Sequence, residues 1–259
     1  LSRPASALAV VPARMASTRF PGKPLVAETG RPLVLHVADR AAQAASIGRV
    51  IVAAPDPEII AVAEADGVEA MLTREDHPNG TSRLAEVVER LGRDLTPDSV
   101  VVNVQGDEPE LDPGTIDAVV DALIRDPEAD MATIAAPWDP RDDPEDPAVV
   151  KVAVGRNRRA LYFSRSRIPF VREPADAEAE TALPLRHVGL YAYRRSFLPR
   201  FVGWSASPLE ELESLEQLRV LENGGSIAVA IHPASGAGID TPAQYQAFVA
   251  RWKRGPGRD

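Results

Sequence analysis

Short apolar runs alternate with helical patterns through the first half of the chain: 8–11 before 32–45, 50–53 before 57–65, 70–72 before 82–91, and 100–104 before 113–124. A run of four or five apolar residues fits a strand buried on both faces, and the longer segments carry apolar residues at helical spacing. The alternation predicts βαβ units around a mostly parallel central sheet flanked by helices. Pro32, Pro57 and Pro113 stand where helices should begin, since the missing N–H costs nothing there. The second half is less regular. Extended segments at 131–135, 149–154, 161–164 and 188–193 lead to one long helix predicted over 207–222, closed by Gly224 and Gly225. A last apolar run, 227–231, precedes a Gly-rich turn, and Thr241-Pro242 opens a terminal helix. The pattern therefore predicts a single α/β domain over 1–259. Residues 5–137 form its first part, 138–226 an inserted portion with its own strands, and 227–259 a C-terminal return.

The composition narrows the possible functions. The chain has 259 residues, 44% hydrophobic and 26% charged, as expected of a soluble globular protein. The longest apolar runs fall far short of the roughly 18–20 residues needed to span a bilayer, so a cytoplasmic location is expected. A formal charge of −9 argues against general affinity for nucleic acid or an anionic membrane, so an anionic ligand would need a local basic pocket. The absence of cysteine removes disulfides, thiolate metal sites and a cysteine nucleophile. His36, His77, His187 and His232 are too scattered for a paired-histidine zinc helix, which leaves a hard metal held by oxygen.

Against this acidic background the loop after the first strand stands out. Residues 12–24 read Pro-Ala-Arg-Met-Ala-Ser-Thr-Arg-Phe-Pro-Gly-Lys-Pro, placing Arg14, Arg19 and Lys23, one of only three lysines, at the carboxyl end of a strand. Open parallel sheets bind ligands there, and three cations with two hydroxyls suit a triphosphate. A solvated basic turn is the alternative, because neither the Walker loop nor the Gly-x-Gly-x-x-Gly fingerprint is present. Asp107, in Gln105-Gly106-Asp107-Glu108-Pro109, follows the fourth strand and reads either as a helix cap or as a metal ligand. Asp240, in a glycine-containing loop, is a second candidate carboxylate; two converging on phosphate oxygens would form a Mg²⁺ site.

Within the predicted 207–222 helix, Glu213 and Glu216 fall on the side of Leu209, Leu212 and Val220, so each carboxylate needs a partner: an arginine, a second subunit or a ligand. Period-2 spacing places Phe163, Arg165 and Arg167 on one strand face, and His187, Gly189, Tyr191 and Tyr193 on another. Arg, His and Tyr on neighbouring strands could grip a carboxylate and hydroxyls, or could be structural. His77, in a predicted turn, carries little information alone.

Together these segments resemble the 3-deoxy-manno-octulosonate (Kdo) cytidylyltransferases over nearly the whole chain. The matching motifs are Pro-Ala-Arg-x-x-Ser-Thr-Arg-x-Pro-Gly-Lys-Pro-Leu at 12–25, Asn-Val-Gln-Gly-Asp-Glu-Pro at 103–109, Leu-Tyr-Phe-Ser-Arg at 161–165, Arg-His-x-Gly-x-Tyr at 186–191, Ser-Pro-Leu-Glu at 207–210, Leu-Glu-Gln-Leu-Arg at 215–219 and Gly-Ile-Asp-Thr-Pro at 238–242. The resemblance implies a Rossmann-like nucleotidyltransferase fold and transfer of CMP from CTP to Kdo with release of pyrophosphate. It also implies a Mg²⁺ requirement and a homodimer formed with help from the smaller part. By the same resemblance Pro12, Ala13, Arg14, Arg19, Lys23, Thr81 and Gln105 would bind the nucleotide, with Lys23, Arg14, Asp107 and Asp240 as the catalytic set and the two aspartates on the metal. Gln105, Arg165, His187, Tyr191, Glu216 and Gln217 would line the acceptor pocket.

Two departures stand out. The family's Ala-Thr-Asp is Ala53-Ala54-Pro55 here, and its Ser-Gly-Thr followed by Asp or Glu and Arg is Asn79-Gly80-Thr81-Ser82-Arg83. They keep open a different acidic acceptor, such as 8-amino-Kdo or a small phosphonate like phosphonoformate. A catalytically silent nucleotide-binding regulator is the alternative of another class.

Overall fold

The computed structural model describes residues 6–139, 142–170, 172, 184–233 and 238–255. The class is α/β, and the chain divides into two compact units: Leu1–Leu95, Asn103–Gly114 and Ser235–Asp259 form unit 1, Thr96–Val102 and Thr115–Ala234 unit 2. The division differs from the expected boundaries at 137/138 and 226/227. The strand Met131–Pro137 pairs with two later strands of unit 2, and the C-terminal segment packs with the N-terminal one.

Unit 1 holds β1 (Ala7–Pro12), α1 (Leu33–Ala42), β2 (Ile47–Ala54), α2 (Pro57–Ala65), β3 (Glu69–Leu72) and α3 (Gly80–Leu91). Its strands run parallel, as the alternating pattern predicts, and lie in the order β3-β2-β1. Residues 7–11 and 51–54 are buried, so these runs read as apolar throughout because helices cover them. Pro57 opens α2, and Pro32 stands one residue before α1.

Unit 2 holds most of β4 (Val100–Asn103) and α4 (Pro113–Arg125), then β5 (Met131–Pro137), β6 (Lys151–Val154), β7 (Ala160–Ser164), β8 (Leu185–Arg194), α5 (Leu198–Gly203), α6 (Pro208–Glu213), α7 (Gln217–Glu222) and β9 (Ile227–Ile231). The strand order is β4-β8-β5-β9, with β6 joining β8 and β7 joining β6. Here the sheet is mixed: β5 is parallel to β9, but β5–β8, β6–β7 and β6–β8 are antiparallel.

The continuous helix expected over 207–222 is instead two short ones. α6 begins with a capping box of Ser207 and Glu210, and Ser214, at φ 50°, ends it in the left-handed region before α7. That conformation costs a non-glycine residue about 1 kcal/mol. Four hydrogen bonds across the break offset it: the Glu213 carboxylate accepts from Ser164 Oγ (2.7 Å) and Arg165 N (2.9 Å), and the Glu213 and Ser214 carbonyls accept from the Arg165 guanidinium (2.6 and 3.3 Å). Helical periodicity placed Glu213 on the inner side but could not see that its partners interrupt the helix. Glycines 224 and 225 close α7 as predicted, their N–H groups bonding Leu221 O and Val220 O.

The terminal helix α8 (Pro242–Arg254) lies in unit 1. Thr241 caps it by accepting from Gln244 N, and Tyr245, Phe248 and Val249 pack with Leu33, Ile239, Phe20 and Val26. Burying each large apolar side chain contributes about 1.5–3 kcal/mol. This cluster fastens the 238–241 loop beside the loop that follows β1. Among the described residues no helix is long and apolar enough to cross a membrane.

Candidate active site

Unit 1 carries an open cleft of about 350 Å³ at the carboxyl ends of its strands, lined by Pro12, Ala13, Arg14, Ala16, Ser17, Thr18, Arg19, Lys23, Pro24, His77, Asn79, Gly80, Arg83, Gln105, Gly106, Asp107 and Asp240. The loop after β1 is held as a series of turns, with Gly22 N on Met15 O (3.1 Å) and Leu25 N on Gly22 O (3.0 Å). Gly22, at φ 73°, supplies the left-handed residue before the 3-10 turn Lys23–Leu25. Gly106 is required by closeness: a Cβ there would lie 2.6 Å from Pro12 O. Side-chain-free backbone thus brings the 105–107 turn onto the basic loop.

Lys23 is the centre of the polar network. Its Nζ donates to Asp107 Oδ2 (2.8 Å) and Ile239 O (2.7 Å) and lies 3.8 Å from Asp240 Oδ1, which also accepts from Arg19 (3.0 Å). Ile239 N bonds Asp107 O (2.9 Å), so backbone pairing draws the two aspartate loops together. The lining carries four cations, Arg14, Arg19, Lys23 and Arg83, against two carboxylates, a positive excess in an acidic chain. Arg14 is exposed and ion-pairs with no described residue. Next to Asp107, burial followed by that neighbouring charge pushes the Glu108 carboxyl up to about 7.

Arg83, Asn79 and His77 are cleft residues that sequence reasoning missed or discounted. Arg83 is buried and donates to Thr73 and to Arg74 O; burial, with the Arg14 charge adding to it, lowers its pKa while Glu86 opposes. His77 Nε2 lies 2.5 Å from Glu86 Oε2, and Glu86 also accepts from Arg74 N and Arg90. Arg83 and Glu86 sit among the buried Leu84, Val87 and Val88 of α3, so the test applied to Glu213 would have flagged them. Thr81, expected at the nucleotide, is buried in the first turn of α3 and does not line the cleft.

Both sequence departures have local explanations. Asp56, one residue after Pro55, accepts from Met15 N (2.9 Å), so a carboxylate still braces the basic loop. Asn79 caps α3 by accepting from Ser82 N (2.9 Å), and Ser82 Oγ returns a bond to Asn79 O (2.9 Å).

Unit 2 gathers several of the expected acceptor residues. β5 and β8 shift register so that Thr133 faces Tyr191 and Ile134 faces Val188. Two extra residues on β8 preserve the period-2 phase, which keeps His187 and Tyr191 on one face with ring centroids 5.5 Å apart; Phe163 lies 5.0 Å from His187 and Tyr193 lies 6.2 Å from Tyr191. Burial pushes the His187 pKa down to about 3, and burial reinforced by the Glu216 charge raises that of Tyr191. Both side chains are therefore neutral near pH 7. Gln217 is buried at the start of α7, and its Nε2 has no hydrogen-bond partner among the described residues. Arg165 does not lie on a strand face with Phe163, because β7 ends at Ser164; its guanidinium bonds the carbonyls of Pro147, Glu213 and Ser214. Arg167 also lies beyond the strand, 3.8 Å from Glu145.

A parallel α/β sheet whose strand ends bear a cationic cleft and two converging aspartates has the features of a nucleotidyltransferase. Residues 8–227 match the Cytidylyltransferase family. The chain is 48% identical over 240 residues to the 3-deoxy-manno-octulosonate cytidylyltransferase of Syntrophobacter fumaroxidans, covering 93% of this chain and 94% of that one. It is 47% identical over 239 residues to the enzyme of the same name from Yersinia enterocolitica, covering 91% and 94%. A solved CMP:2-keto-3-deoxy-manno-octonic acid synthetase complexed with CTP superposes with a TM-score of 0.87 at 39% identity, over 96% of this chain and 99% of that one. A cytidylyltransferase from Leptospira borgpetersenii shares the fold alone, at 14% identity, TM-score 0.61, and coverage of 98% and 88%. The chain belongs to the cytidylyltransferase family.

Proposed function

We propose that this protein transfers CMP from CTP to Kdo, giving CMP-Kdo and pyrophosphate. The observation that carries the reading is the cleft of unit 1, where Lys23, Arg14 and Arg19 stand with Asp107 and Asp240 at the strand ends. In the reaction an acceptor hydroxyl oxygen attacks the α-phosphorus in line, that new P–O bond replaces the bond to the β-phosphate oxygen, pyrophosphate leaves with its electron pair, and the hydroxyl proton passes to solvent. Arg14, Arg19 and Lys23 offset the triphosphate charge and align it; positioning and charge neutralisation supply most of the catalysis in such chemistry.

The two aspartates fit Mg²⁺. Both are partly exposed, both offer hard oxygen, and among the described residues no cluster of three or more His, Cys, Asp or Glu forms a self-sufficient cage. Mg²⁺ characteristically takes one or two carboxylates and completes its shell with phosphate oxygens and water. When bound it would neutralise phosphate charge, with Asp107 and Asp240 holding it and Lys23 redirecting toward the substrate.

On the acceptor side, neutral His187 and Tyr191 with the unpartnered Gln217 amide support a hydroxyl-rich ligand over a compact dianion. Because Asn79 and Ser82 are a capping pair, that departure lends the phosphonate alternative no support. A homodimer through unit 2 is part of the proposal, supported by the exposed Leu161, Phe170, Val202 and Leu212; sedimentation velocity of the purified chain tests it. The deciding assay measures pyrophosphate release from CTP, UTP, ATP and GTP with Mg²⁺ and either Kdo, 8-amino-Kdo or phosphonoformate. Release with CTP and Kdo alone is expected. Equal rates with ATP refute cytidine selectivity, turnover of phosphonoformate but not Kdo reverses the acceptor, and no turnover with any of them favours the silent regulator.

A further inference from the structure

β5 reads Met-Ala-Thr-Ile-Ala-Ala-Pro, and Thr133 is its single hydroxyl among residues that are buried from 131 to 136. A polar side chain at such a place must be paired. Thr133 Oγ1 lies 2.9 Å from Leu190 O, 3.3 Å from Val188 O and 3.0 Å from His187 Nε2. Val188 immediately precedes the two extra residues of β8 and Leu190 is the second of them, so both carbonyls lie where the ladder is interrupted.

A hydroxyl has one proton to give, and a carbonyl oxygen can only accept. The proton of Thr133 therefore goes to one of the two carbonyls. The reverse arrangement, with the proton on the histidine side, would leave Oγ1 2.9 Å from Leu190 O with no hydrogen between two oxygens. His187 Nε2 must then carry its own hydrogen and donate it to Thr133. The other ring nitrogen, Nδ1, is left with a lone pair and no partner among the described residues, on a side chain that is partly accessible.

We infer that Thr133 is a positioning residue that locks His187 in the Nε2–H tautomer, so that Nδ1 accepts a hydrogen bond from an acceptor hydroxyl and disfavours an anionic oxygen at that point. The inference deepens the proposed function and rests on it for the identity of the acceptor. His187 is thereby a specificity element: a sugar hydroxyl supplies the hydrogen that Nδ1 lacks, whereas a carboxylate or phosphonate oxygen meets a lone pair. The low pKa of His187, caused by burial, agrees with a neutral ring.

Two measurements test it. Long-range ¹H–¹⁵N spectra of the full-length protein at pH 7, with the His187 signals identified by their loss in His187→Gln, should show Nε2 protonated and Nδ1 bare, and the Nδ1 signal should move to lower frequency on saturation with Kdo. An Nδ1–H tautomer, a doubly protonated ring, or an unmoved Nδ1 during active turnover overturns the inference. In kinetics, Thr133→Val should raise the KM for Kdo about tenfold with the KM for CTP within twofold, and Thr133→Ser should restore the Kdo value. Equal effects on both substrates, or no restoration by serine, assigns Thr133 to the core alone. If the wild-type protein does not turn over Kdo, the proposed function fails while the tautomer of the unliganded protein still decides the Thr133 assignment.

Discussion

The polar residues of unit 1 and those of unit 2 use their charge in opposite ways. In unit 1, Arg14, Arg19, Lys23 and Arg83 line a cleft with only two carboxylates to answer them, and Arg14 has no ion pair among the described residues. In unit 2, Arg165 is spent on three backbone carbonyls, the fully buried Lys151 on the Asp146 and Arg165 carbonyls (both 2.8 Å), and the Arg219 guanidinium on Glu210. At the His187–Tyr191 face unit 2 instead presents an imidazole, a phenol and an amide, with Glu216 the one charge acting on Tyr191. Unit 1 thus sets charge against charge, whereas the proposed acceptor face of unit 2 would sort hydroxyls by donor and acceptor direction.

The strongest challenge to this contrast is removal of the charged groups of unit 1. Lys23→Ala, Asp107→Asn and Asp240→Asn should each lower kcat by at least about 100-fold, in the range seen when one preorganised electrostatic group is lost. Near-normal turnover at saturating Mg²⁺ in either aspartate variant would reduce that carboxylate to a partner of Lys23. Next in size, His187→Ala and Glu216→Ala should raise the Kdo KM with little change for CTP. A lost polar partner costs about 1–3 kcal/mol, or roughly 5–150-fold. Arg165→Ala sharpens the comparison differently: since its bonds are to backbone, circular dichroism should record a fall in Tm as well as any kinetic change.

Ionic strength separates the units without mutation. Raising salt from 50 to 500 mM should increase the CTP KM severalfold through screening and leave the Kdo KM within about twofold. Acid gives the converse. His187 stays neutral in the folded state down to about pH 3, whereas the unfolded chain takes up its proton near 6.5. Its contribution to stability is fully present above about 6.5 and is lost as pH falls toward 3, with a slope of at most ~1.4 kcal/mol per pH unit. Denaturation curves of the wild type and His187→Gln across that range should differ by that slope, and parallel curves would show that the ring is not buried neutral.

Much of unit 1 was legible because β1 and the second half of β2 are buried and prolines stand at the starts of α1, α2 and α8, so apolar runs and punctuation coincide with these elements. The basic loop and Asp107 were legible from their place after strands. Arg83 and Glu86 were within reach of the same helix-face argument as Glu213, since both lie among the buried apolar residues of α3, whereas the turn residue His77 shows its role only through its contact with Glu86. Unit 2 was harder to read. Periodicity assumed an unbroken 207–222 helix and a β7 reaching Arg165, while the structure trades both for hydrogen bonds between distant residues. The His187–Tyr191 face survived only because the interruption of β8 contains an even number of residues.

The closure of unit 1 by α8 also sets an order of assembly in time. Lys23 donates to Ile239 across 216 positions of sequence, so during synthesis at about 5–20 residues per second the lysine leaves the peptidyl-transferase centre roughly 10–45 s before its partner exists. Throughout that interval the nascent chain carries an unfinished nucleotide cleft, and a ribosome that terminates before residue 239 releases a product with most of the sheet's sequence but neither the Ile239 carbonyl nor the second aspartate. Synthesis of residues 239–254 thereby acts as a late gate on catalytic competence.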